Sequence, residues 1–199
     1  TTLYTSGSNS ANRNYSYLYI NGDRNQNAST VYGGNDDILV AKTTIHANGG
    51  YFNTDALFYI AGDYNWFGNT IEGGNDTITV RDTEVLSEGG VREGRGLFRV
   101  YGNYSWQGNT TIGTNDDIEV SHLDITAVGG TNNGSFLDVL GHSSGNTGGP
   151  STGNTVIGGN DTLRLRHVNL RALDGFSSND ASVRIYGDVN EDYNSQVGG

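Results

Sequence analysis

The side chains of this sequence that could do chemistry are acidic, and they recur. Asp36, Asp76, Asp116 and Asp161 close four related turns, three reading Gly-Gly-Asn-Asp and one Gly-Thr-Asn-Asp, with Asn35, Asn75, Asn115 and Asn160 just before them. A second set, Asp23, Asp63 and Asp188, follows a glycine in Asn-Gly-Asp, Ala-Gly-Asp and Tyr-Gly-Asp, while Asn103 and His142 stand at that place in the other two periods. Carboxylates stacked about 5 Å apart repel by roughly 1 kcal/mol in water and about 3 kcal/mol at an effective dielectric of 20. No Lys or Arg lies in or beside the Gly-Gly-Asn-Asp motif in the first three periods, so a bound cation is the available counter-charge. Carboxylates together with carbonyls exposed by glycine-rich turns are hard oxygen donors, which suit Ca²⁺. Asn and Asp are equally the residues of tight turns, where their side chains bond the backbone or form ladders without a metal. The spacing leaves both readings open. If a cation is held at the Gly-Asp turns, the places taken by Asn103 and His142 should bind it weakly or not at all.

Other constellations are sparse. Tyr64-Asn65-Trp66 returns forty residues later as Tyr104-Ser105-Trp106, which stacks Tyr64 on Tyr104 and Trp66 on Trp106. Such a strip could be a glycan platform or a contact between chains, or a ladder that steadies neighbouring strands. His46, His122, His142 and His167 are read as lying in unrelated phases, without the paired spacing of metal ligands or a triad. No Gly-x-Ser-x-Gly elbow and no glycine-rich loop leading into a helix is present. The acids recur in register, whereas a catalytic pair should be a singular departure from the repeat; no enzyme is expected.

The 199 residues include no Cys and carry a formal charge of −11. The first fact removes disulfide scaffolds, thiolate metal sites and thiol nucleophiles. The second argues against nucleic acid, because neutralising phosphates needs a Lys/Arg surface. No apolar run approaches the roughly 20 residues of a membrane-spanning helix. With 31 Gly and short Val/Ile/Leu/Tyr runs, the chain reads as many short strands joined by tight turns.

What positions the acids is a repeat. The turn motif begins at residues 33, 73, 113 and 158, and a last Gly-Gly stands at 198, so the steps are 40, 40, 45 and 40. Three apolar segments recur in each period and alternate as half-buried strands do. They make columns: Ile38, Ile78, Ile118, Leu163; Ile45, Val85, Ile125, Leu170; and Leu18, Phe58, Phe98, Leu137, Val183. Such columns bury themselves only by stacking on like neighbours about 4.8 Å away. The expectation is one all-β array over 1–199, a parallel β-solenoid of about five coils of ~40 residues, either a three-sided β-helix or a β-roll with two shorter coils per period. Outward positions should pair Glu119 with Arg164, and Thr1 aligns with Ala41. Neither end reads as a cap, which suggests a piece of a longer array.

Tyr186-Gly187-Asp188, and the turns Gly73-Gly74-Asn75-Asp76-Thr77-Ile78 and Gly158-Gly159-Asn160-Asp161-Thr162-Leu163, resemble the hemolysin-type (RTX-like) calcium-binding repeats of secreted bacterial proteins. The tandem nine-residue Gly-Gly-x-Gly-x-Asp form is absent. The resemblance implies a parallel β-roll or β-helix, Ca²⁺ held in the turns, and export to a calcium-rich exterior. The resulting expectation is a non-catalytic structural or adhesive segment of a bacterial surface protein or filament, joined end to end with further copies or repeats. The rivals are a glycan-binding module and a fragment of a β-helical polysaccharide-active enzyme.

Overall fold

The computed structural model describes residues 1–6, 13–25, 28–49, 53–66, 68–106, 108–145, 155–190 and 195–197. These residues form fifteen strands in three parallel five-stranded sheets, with no helix among the described residues. The first sheet runs in the order β1 (Thr2–Ser6), β4 (Asp37–Asn48), β7 (Thr77–Glu88), β10 (Asp117–Val128), β13 (Thr162–Leu173). The second holds β2 (Arg13–Asn25), β5 (Asn53–Asn65), β8 (Glu93–Trp106), β11 (Asn132–Gly145) and β14 (Ser178–Asn190). The third holds β3 (Ala28–Tyr32), β6 (Gly68–Glu72), β9 (Gly108–Ile112), β12 (Thr155–Ile157) and β15 (Ser195–Val197). Each period supplies one strand to each sheet in turn.

The register follows the apolar columns. Ile38 pairs with Ile78, Ile78 with Ile118 and Ile118 with Leu163; Leu18, Phe58, Phe98, Leu137 and Val183 pair in succession. A one-residue slip would turn every buried side chain outward, so the columns determine the pairing. The core lies where the first and second sheets face each other, with Val80, Ile125, Phe58 and Val139 among its fully buried members. Phe58 and Phe98 meet edge to face at 5.0 Å between centroids, a favoured aromatic geometry.

The strands divide differently from the three segments read in the sequence. The first two segments join into one long strand, bent by a left-handed residue at Lys42, Asp82, His122 or His167, with φ of 50 to 52°. In β4 the buried positions before the bend are at even numbers and those after it at odd numbers. One residue in the left-handed region resets the alternation, at a cost of about 1–2 kcal/mol. The actual third strand is a short polar run such as Gly-Asn-Thr-Ile-Glu, with no apolar alternation to announce it.

Three further expectations change. Thr1 is not opposite Ala41: Leu3 pairs with Ile45, two residues out of the ungapped alignment, which keeps apolar beside apolar. His122 and His167 are not in unrelated phases, since both occupy the bend and their rings stack at 4.9 Å. Glu119 and Arg164 are register partners, but Arg164 reaches Asp117 at 2.5 Å while Arg166 approaches Glu119 at 3.9 Å.

Candidate metal centre

The adjacent Asn and Asp of each turn face opposite sides, as alternation requires. Asn35, Asn75, Asn115 and Asn160 are exposed. The backbone N–H of Asn75 donates to Oδ1 of Asn35 at 2.8 Å, that of Asn115 to Asn75 at 2.9 Å and that of Asn160 to Asn115 at 2.8 Å. The asparagines therefore form an outer ladder whose carbonyls are engaged by backbone.

The aspartates form an inner ladder that runs the other way. The N–H of Asp36 donates to Oδ1 of Asp76 at 2.9 Å, Asp76 to Asp116 at 3.0 Å and Asp116 to Asp161 at 3.0 Å. Their second oxygens press against the glycines of the second sheet: a Cβ on Gly62 would lie 1.9 Å from Oδ2 of Asp76. The same approach recurs at Gly22, Gly102 and Gly141. That glycine, rather than the acid after it, is the signal sequence reasoning missed.

Beside this ladder stands the second column. Oδ2 of Asp23 accepts the Gly34 N–H and Oδ2 of Asp63 the Gly74 N–H, both at 2.7 Å. Asn103 takes the next place and donates Nδ2 to Oδ2 of Asp116 at 3.0 Å. His142 follows, fully enclosed. The side chain of Asp188, like that of Trp106, lies outside the described residues.

Where acids occupy both columns they converge. Asp23, Asp36 and Asp63 each bring a carboxylate oxygen within 4.8 Å of the others. Among the described residues, ten buried side-chain polar atoms have no hydrogen-bond partner, and seven belong to these two columns: Asp36 Oδ2, Asp63 Oδ1, Asp76 Oδ2, Asn103 Oδ1, both His142 nitrogens and Asp161 Oδ2. Buried polar atoms are normally paired, because leaving one unpaired costs about 1–3 kcal/mol.

The electrostatics carry the same signature. Burial pushes Asp76 up to about 8, opposed by the Asp36 N–H and assisted by the neighbouring carboxylates of Asp63, Asp116 and Asp36. Asp116 is likewise raised by burial to about 8, and Asp63 to about 6. Asp36 and Asp161 are also raised, burial again the main cause. His142 is lowered by burial to about 4 and is neutral at pH 7. The ladder thus holds carboxyl groups that burial drives toward the protonated form, and the carboxylates of Asp23, Asp36 and Asp63 lie close enough together to hold a metal ion.

The aromatic strip is built in part. Tyr64 stacks on Tyr104 at 5.2 Å and Trp66 lies tilted 6.2 Å from Tyr64. Comparison with protein-family models, curated proteins and solved structures returns no match to this chain. No helix among the described residues is long and apolar enough to cross a membrane.

Proposed function

We propose that the three sheets wind as a three-sided parallel β-solenoid that serves as a non-catalytic, extracellular structural or adhesive segment of a bacterial surface protein, stabilised by Ca²⁺. The observation that carries the calcium part is the convergence of Asp23, Asp36 and Asp63 with unpartnered oxygens of Asp36 and Asp63. Those three carboxylates hold the ion, which neutralises charge that the surrounding backbone cannot. The resemblance to secreted calcium-binding repeats supports the extracellular assignment.

Like side chains bury themselves by stacking on one another, as Leu137 and Val139 do on their register partners Val183 and Ile185. Further copies or adjoining repeats extend these columns end to end by parallel pairing of strand edges.

Thermal unfolding of the full chain at pH 7.5 in Ca²⁺ and in EDTA tests the reading. An ion present at 100 times its Kd stabilises by about 2.7 kcal/mol, or about 5 to 10 °C in the midpoint. An unchanged midpoint overturns the calcium part. Light scattering of a Val183→Asp/Ile185→Asp variant tests assembly with further copies: self-association should be lost, and a wild-type chain that is monomeric at high concentration overturns assembly between copies of this chain.

A further inference from the structure

Away from the ladder, the outer face of the second sheet carries aromatic residues where a solvated strand ordinarily carries polar ones. Tyr19 and Tyr59 stack at 5.0 Å with planes 7° apart, and Tyr101 approaches Tyr104 at 5.0 Å. These four and Tyr64 surround a hollow of about 160 Å³ with Ala61 among its lining residues. The hollow exists because the outward column reads Asn21, Ala61, Tyr101, Leu140: Ala61 is small where the following periods place a large side chain. Its volume is below the roughly 300–1,000 Å³ of pockets that engulf a whole ligand, so it suits one ring of a longer chain.

Charge then selects the ring. Arg99 lines the hollow, with its guanidinium carbon 5.5 Å from the Tyr59 centroid. Its Nε donates to Oδ2 of Asp138 at 2.8 Å, while Arg184 holds the same carboxylate through Nε and Nη2, each at 2.7 Å. Asp138 is buried and shared by two arginines, which leaves that trio with one net positive charge. Arg24 adds another, 5.7 Å above the Tyr64 ring. On a chain of net charge −11, this strip is locally cationic. A second hollow, lined by Arg95, Leu97, Phe136 and Arg184 among others, adjoins the first and shares Arg99 and only that residue with it.

We propose that this strip binds an acidic polysaccharide, with one uronate-type sugar in the tyrosine-lined hollow and the chain continuing into the second. The C–H face of a pyranose stacks on a tyrosine ring, the tyrosine hydroxyls meet its rim hydroxyls, and the sugar carboxylate pairs with the guanidinium of Arg99 at the shared wall. Arginine is the side chain suited to that pairing, since its planar fork matches a carboxylate. Two adjoining hollows favour an oligomer over a single sugar. The site uses no residue of the carboxylate ladder, so it stands or falls independently of calcium.

Titration calorimetry of the full chain with a galacturonate tetramer tests it, beside a neutral galactose tetramer and a single-stranded DNA oligonucleotide. Binding of the uronate alone is expected, weakened at least tenfold in Arg99→Gln and in Tyr59→Ala but not in Arg164→Gln on the first sheet, with each variant's melting midpoint measured. Should Tyr59→Ala fail to fold, Arg99→Lys, which keeps the charge and loses the fork, is expected to show an intermediate loss. No binding of the uronate, equal binding of the neutral tetramer, equal affinity in Arg99→Gln, or tighter binding of the oligonucleotide overturns the proposal.

Discussion

Two stretches of one inner ladder differ in a single column. Around Asp36 the neighbours are Asp23 and Asp63, and three carboxylates meet; in the later periods the same column places Asn103 and His142, an amide and a neutral imidazole. The backbone pairing is alike in both stretches. The difference teaches that the fold accepts a carboxylate, an amide or a neutral imidazole at this place and does not require charge. The convergence of three carboxylates is therefore local, set by which periods are acidic in both columns.

The comparison can be broken hardest through the glycines. Gly62→Ala should cost about 3 kcal/mol or more, since the new methyl overlaps the buried Asp76 carboxyl, whose other oxygen is held by the Asp36 N–H. Gly187→Ala, where Asp161 Oδ2 is 3.8 Å away, should cost under about 1 kcal/mol. Chemical unfolding of both variants checks the contrast.

Next in size is the pH response. Asp76 and Asp116 are raised to about 8 in the folded chain, above their unfolded value near 4. The folded state then binds more protons than the unfolded one, so without divalent ions stability should fall as pH rises from about 4 to about 8. His142 acts in the opposite sense: lowered to about 4, it contributes stability above its unfolded value of about 6.5 that is lost as pH falls toward 4. Asp63, raised to about 6, offsets the His142 contribution below pH 6, so unfolding free energies in EDTA should rise toward acid throughout the range from about pH 8 to about pH 4. A stability that increases from pH 6.5 to 8 would contradict the carboxyl values.

Exchanging the columns sharpens the comparison further. Asp63→Asn should make the chain less responsive to Ca²⁺ and more stable in EDTA at pH 8, because it removes an acid that burial disfavours. Asn103→Asp should add a second acidic group beside Asp76 and Asp116, lower stability in EDTA, and enlarge the calcium-dependent shift of the melting midpoint. Smallest of all, Arg164→Ala breaks an exposed pair with Asp117 and should change stability by no more than about 0.5 kcal/mol.

The apolar columns were legible because stacking repeats the same side chain at the same place, so Phe58 over Phe98 and Ile78 over Ile118 could be read as partners directly. The bend was not, because Lys42, Asp82, His122 and His167 share a backbone conformation and no chemistry. The short strands of the third sheet were hidden for a related reason: polar runs such as Gly-Asn-Thr-Thr-Ile carry no period of two. The division of labour between Asn35 and Asp36 was within reach. Counting back by alternation from Val40 and Ile38 points Asp36 inward and Asn35 outward, which separates the inner ladder from the outer one before any coordinates are known.

The opposed ladders give the stack a sense of direction. At any junction between periods, the earlier side offers an amide hydrogen from its Asp and a side-chain carbonyl from its Asn, and the later side offers their complements. Two like faces brought together would set donor against donor and acceptor against acceptor. An assembly continued through these turns is consequently heterologous, related by translation along one axis with no two-fold closure, and its two growing ends are chemically distinct.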